Sequence, residues 1–114
     1  MIDPSLMCDK HLFGEHGEIH KFRPSFVKGV SINGRIAPVV QIEPMSMKTR
    51  HDELTAEMTR RKNKQYFSEY EQPDLSKYDE SKVSVKADVM SNIRDLVCRC
   101  ENCKSKIVSA GYNV

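Results

Sequence analysis

The clearest periodicity in the chain lies between positions 46 and 62. Met47, His51, Leu54 and Met58 recur there at helical spacing while polar residues fill the opposite face. This pattern predicts an amphipathic helix over residues 46–62, with Arg60, Arg61 and Lys62 placed where cations suit the negative end of the helix dipole. A less regular stripe of Leu6, Leu12, Phe13 and Ile19 predicts a first helix over 4–21, opened by Asp3-Pro4 and closed by Arg23-Pro24. Gly14 and Gly17 interrupt that stripe, each at a cost of about 1 kcal/mol against alanine, and so predict close approach of a ligand or of another helix. Ile93, Leu96, Cys100, Cys103 and Ile107 share one face of a third helix over 92–108. Between the helices, Asn33-Gly34 sits among Val30, Ile32, Ile36, Val39 and Val40. That is a hairpin signal opposed by Pro38, so a two-stranded ribbon and an ordered loop stand as equal alternatives. Residues 63–87 read as loop, pinned by Tyr66, Phe67, Tyr70 and Tyr78, with a short extended piece around Val83 and Val85. The fold expected is mainly α: a compact three-helix single domain over 1–114 with long ordered loops and, on one of the two alternatives, a short β-hairpin.

Composition narrows this picture without redirecting it. A chain of 114 residues buries roughly 65% of its unfolded surface, enough for one modest core. With 39% hydrophobic and 30% charged residues it lacks the composition of a disordered chain. The net charge of +2 points to no partner, but its distribution does. Lys48, Arg50, Arg60, Arg61, Lys62 and Lys64 outweigh Asp52, Glu53 and Glu57, whereas Glu69, Glu71, Asp74, Asp79 and Glu80 face only Lys77. The basic stretch is where a phosphate backbone would bind. No apolar run approaches the ~20 residues of a membrane span and no signal pattern opens the chain. The expectation is a soluble, cytoplasmic, monomeric protein with no membrane partner and with its four cysteines reduced.

The chemistry concentrates in residues 10–21, which hold three of the four histidines and two carboxylates. His11, Glu15 and Glu18 fall on one side of a helix at spacings of four and three, and His16 and His20 form a second i,i+4 pair. A carboxylate so placed can relay protons and an imidazole can contact a phosphate or an extruded base. The run Cys98-x-Cys100-x-x-Cys103 has the look of half a zinc site, which Cys8 or a histidine would complete. On a continuous helix, however, Cys100 and Cys103 share the apolar face and act as small hydrophobes. The expectation is therefore no metal and no cofactor.

The order His11-Leu12-x-x-Glu15-x-x-Glu18-Ile19 resembles the first-helix signature of the endonuclease V type pyrimidine-dimer DNA glycosylases, a small phage and microbial repair family. Lys48-x-Arg50-x-x-Glu53-Leu54-x-x-Glu57-x-x-x-Arg61, with Asn63 beyond it, resembles that family's basic helix. The resemblance implies an all-helical fold bound to double-stranded DNA and a glycosylase with apurinic-site lyase activity. It implies attack by an N-terminal α-amine on the sugar C1′, then a Schiff base and β-elimination. An α-amine suits this work because its ordinary pKa of about 8 leaves a neutral fraction that a lysine at about 10.4 lacks. By position, Met1 supplies the amine, since bulky Ile2 keeps the initiator methionine in place, and Glu18 matches the catalytic glutamate. His11, Glu15, Lys21 and Arg23 would lie near the lesion, and Lys48, Arg50, Arg60, Arg61 and Lys62 would hold phosphates. The sequence departs from the pattern in Gly17, where the family carries an arginine, in a shorter leader before His11, and in an aromatic tail reduced to Tyr112. Such an enzyme would act at the nucleoid, in one version as a virus-encoded protein inside its host. Two alternatives stand beside it: a DNA- or protein-binding module that has lost the reaction, such as a viral factor against host defence, and a metal-dependent nuclease built on Glu15, His16 and His20.

Overall fold

Asp3 and Pro4 start a structure as their types dictate, but a short one. Asp3 Oδ1 accepts from the Ser5 N–H at 2.9 Å and a single 3-10 turn follows over Pro4–Leu6. The chain then extends through Met7 and Cys8 before α1 begins, covering Asp9–Lys28. The computed structural model describes residues 1–62 and 69–113, and the expectations that fall on Asn63, Lys64, Tyr66 and Phe67 lie outside the described residues. The remaining helices are α2 (Asn33–Ile36), α3 (Met47–Lys62, preceded by a 3-10 turn at Pro44–Ser46), α4 (Glu80–Val83), α5 (Val89–Arg99) and α6 (Glu101–Ser109). The fold is mainly helical with no strand among the described residues, and none of its helices is long and apolar enough to cross a membrane.

Four sequence expectations are corrected. The first helix starts later and does not stop at Arg23-Pro24; Pro24 lies inside it. Proline in a helix interior costs about 3 kcal/mol, but continuing α1 carries Phe26 into the core at 1% exposure, edge-on to Tyr78. The helix ends instead at Gly29, whose φ of +73° permits the left-handed turn that closes it. The hairpin alternative gives way to the single helical turn of α2, and the extended piece expected near Val83 is the turn α4. The third helix is two: Cys100, at φ −142° and ψ 112°, is extended and separates α5 from α6.

The α3 stripe is borne out, with Met47, His51, Leu54 and Met58 all buried. α1 and α3 pack antiparallel, because Asp9 at the start of α1 meets Arg61 and Lys62 at the end of α3. Leu12, Leu54, Ile93, Cys103 and Ile107 form the driest part of the core, where the N-terminal turn, α1, α3, α5 and α6 converge.

Candidate functional site

The N-terminal leader is fixed from two sides. Ile2, Leu6 and Met7 bury their side chains, and α3 reaches across to the leader's backbone. Arg50 Nη1 donates to Ile2 O at 2.6 Å, and Arg61 Nη2 donates to Pro4 O at 3.0 Å. Arg50 is itself held by Glu15 of α1, with Nε donating to Oε2 at 2.5 Å and Nη2 to Oε1 at 2.9 Å. The result is a rigid leader that brings Met1 to the rim of a cleft of about 850 Å³. Glu18, Glu15, His11 and Gly14 of α1, Arg50 of α3 and Gln41 line the same cleft.

Within it, Glu18 is exposed and belongs to no ion pair among the described residues. The Met1 α-amine lies 3.6 Å from Glu43 Oε2. Glu43, largely buried, also accepts from the Ala87 N–H at 2.8 Å, so it is a positioned carboxylate and not a mobile one. Neither glycine of α1 is crowded: a Cβ at Gly14 or Gly17 would meet nothing within 4 Å. Their expected close approach to another helix is therefore corrected, and Gly14 opens onto the cleft instead.

The residues expected to touch DNA divide into two groups. Glu15, Arg50 and Arg61 are internal clamps: the side chains of Arg50 and Arg61 are only 7% and 9% exposed, and each is bound to carboxylates and to leader carbonyls. The two guanidinium groups of the basic helix, expected to hold phosphates, are thus occupied inside the protein. Arg23 is tied to residue 71, its Nε donating to Glu71 O at 2.8 Å. Lys48, Arg60, Lys62 and Lys21 do reach solvent. Lys48 pairs with Asp52, Arg60 with Glu57, and Lys62 with Asp9 over the Phe13 ring. These hydrogen bonds hold three carboxyls below their ordinary range. Lys62 and then Arg61 act on Asp9, His51 and then Lys48 on Asp52, and Arg60 leads on Glu57, where Arg61 also contributes. The sequence reading missed three exposed cations that line the cleft, Lys10, Arg35 and Arg99. It also missed Glu43, which stands just before the second recognised helix but outside both motifs, and carries no spacing signal.

His11 lines the cleft and is also held by sulfur. Its Nδ1 turns toward Cys8 Sγ at 3.2 Å and Cys103 Sγ at 3.4 Å, and Cys8 Sγ lies 3.8 Å from Cys100 Sγ. The other three histidines form a second cluster between α1 and α3, with ring centroids 4.9 Å (His16–His20), 5.1 Å (His16–His51) and 4.9 Å (His20–His51) apart. Tyr70 stacks on His51 and donates its hydroxyl to Ile19 O at 3.2 Å. Burial pushes the Tyr70 phenol up to about 12. Burial also lowers His16 and His20, and the neighbouring imidazoles lower them further. Comparison of the chain with protein-family models, curated proteins and solved structures returned no match.

Proposed function

We propose that the protein is a DNA repair enzyme, a glycosylase with lyase activity that uses the Met1 α-amine as nucleophile and Glu18 as the acid–base group. One observation carries this reading: the amine and an exposed glutamate line a single open cleft, and the leader that bears the amine is clamped by Arg50 and Arg61. The neutral amine attacks the sugar C1′ of a damaged nucleotide. An N–C1′ bond forms as the glycosidic bond breaks, and the departing base takes up a proton. The sugar ring opens to a protonated imine, whose positive charge the Glu18 carboxylate stabilises. Loss of a C2′ proton to a base then expels the 3′ phosphate. Lys10, Arg35 and Arg99 at the cleft edge, with Lys21 one turn beyond Glu18, are the cations placed to meet the flanking phosphates.

A second reading is favoured by the ion pair between Met1 and Glu43, which an attacking amine must leave. On that reading the cleft binds DNA and performs no cleavage. Borohydride reduction in the presence of duplex DNA carrying an abasic site separates the two. The enzyme reading predicts a covalent protein–DNA adduct that disappears when the N-terminal amine is methylated. Glu18→Gln should lower turnover by about 10²–10⁴-fold while DNA binding persists. Substitution of Lys10 or Arg35 by alanine should flatten the salt dependence of binding by about one unit each. Salt-sensitive DNA binding without any adduct overturns the enzyme and leaves the binding module; absence of DNA binding overturns both.

A further inference from the structure

Cys8 and Cys100 occupy equivalent places in the fold. Each is the extended residue that caps the N-terminus of a helix, Cys8 for α1 and Cys100 for α6. Three residues further on, in the first turn of each helix, stand His11 and Cys103. The chain therefore presents two like pairs, Cys8-x-x-His11 and Cys100-x-x-Cys103, and the fold brings both helix N-termini to one point. We propose that these four side chains form a structural zinc site of the Cys₃His kind, which ties the N-terminal leader to the α5–α6 corner.

The known separations come close to the edges of a tetrahedral zinc site. With Zn–S about 2.3 Å and Zn–N about 2.05 Å, a tetrahedral site has S···S edges of about 3.8 Å and S···N edges of about 3.6 Å. The observed separations are 3.8 Å for Cys8 Sγ to Cys100 Sγ, and 3.2 and 3.4 Å from His11 Nδ1 to the sulfurs of Cys8 and Cys103. All four ligand atoms lie within 4.8 Å of one another. Backbone N–H groups face two of the sulfurs. The Cys8 N–H donates to Cys103 Sγ at 3.2 Å and the Cys103 N–H to Cys100 Sγ at 3.5 Å. Backbone donors of this kind orient metal-bound sulfur, and two positive helix ends offset the net negative charge of three thiolates on a divalent ion. On binding, the thiols release their protons to solvent.

Competing explanations fit less well. A Cys8–Cys100 disulfide needs about 2.05 Å between sulfurs, far less than the observed gap, and it would leave Cys103 and His11 converging without purpose. Thiols are weak hydrogen-bond donors, so three of them around one imidazole gain little without a metal. The helical-phase argument against zinc assumed one continuous helix, and the break at Cys100 removes that assumption. Cys98, exposed and outside the cluster, is a built-in control.

This inference is independent of the DNA reading and is tested without it. The full chain, purified without a histidine tag, should hold one zinc per molecule by plasma mass spectrometry. Replacing zinc by cobalt should give the ligand-field bands of a tetrahedral centre and a thiolate-to-cobalt charge-transfer band. Cys98→Ser should keep the full equivalent, Cys100→Ser and Cys103→Ser should fall below about a tenth of one, and His11→Cys should retain the metal as a four-thiolate site. Should Cys103→Ser fail to fold, the cobalt spectrum of the native chain and the His11→Cys variant decide the matter. The proposal is overturned if folded native protein refolded with excess zinc keeps less than about a tenth of an equivalent. Bound cobalt without a thiolate band would also overturn it, by placing the metal at His16, His20 and His51.

Discussion

Arg50 uses all three of its guanidinium nitrogens inside the protein: two on Glu15, one on Ile2 O, with Met7 Sδ 3.7 Å from Nη2. A planar fork with five fixed donors can serve a carboxylate and a carbonyl at once, which an ammonium cannot. A charge this buried is tolerated only while its partners remain, and removing one partner of such a pair costs about 3–5 kcal/mol. Glu15→Gln and Arg50→Lys are each expected to destabilise the chain by roughly 3 kcal/mol in urea unfolding. The double substitution Glu15→Leu/Arg50→Met should recover most of that loss, because it removes both buried charges together. If either single variant unfolds at the native urea concentration, the clamp is not a determinant of stability. Arg60→Ala, whose side chain is 66% exposed, should leave the midpoint unchanged. The sequence displayed Glu15 and Arg50 as members of two recognisable patterns, yet it could not show that they bind one another. Their separation of 35 positions is bridged only by the antiparallel packing of α1 on α3.

Helix identity was legible where one stripe met one partner. α3 follows its periodicity to within a residue, because Met47, Leu54 and Met58 all face the same core. α1 was misread at its end because the local signal of Arg23-Pro24 competes with burial of Phe26, and tertiary packing prevails. The pair α5 and α6 was misread as one rod because Cys100 keeps an apolar spacing while its backbone is extended. The glycines of α1 make the same distinction between local and tertiary effects testable. At Gly17 a Cβ meets open space, so Gly17→Ala should stabilise the protein by about 0.5–1 kcal/mol through helix propensity alone. Gly29 has φ +73°, and a Cβ there would lie 2.9 Å from Lys77 Cδ. Gly29→Ala should therefore destabilise by about 1–2 kcal/mol. Paired thermal melts check both signs, and a stabilising Gly29→Ala would mean that the helix does not end as described.

The molecule is a slab of 42 × 33 × 17 Å, and a helix with its side chains is about 10–12 Å across. In so flat a body polar cross-links work beside the apolar core: the Arg50 clamp, the cysteine cluster and the histidine trio. Two members of the trio, His16 and His20, set the direction of the pH dependence expected of the fold. His16 and His20 face each other and His51, and His20 also meets the Tyr70 ring, with Asp52 beside His51 as the nearby carboxylate. Burial first, and neighbouring imidazoles second, lower both below the ordinary 6.5. The unfolded chain therefore binds more protons than the folded one as pH falls past 6.5. Their contribution to stability is complete above that value and is lost as pH drops through the lowered folded values. The native protein should thus show a falling urea midpoint as pH drops from about 6.5 to about 5. His16→Leu, which cannot take up the proton, should show a smaller fall over the same interval. Acid release of zinc would act on both proteins alike, so the difference between them isolates the imidazoles. An equal fall in the two would place the proton uptake elsewhere in the molecule.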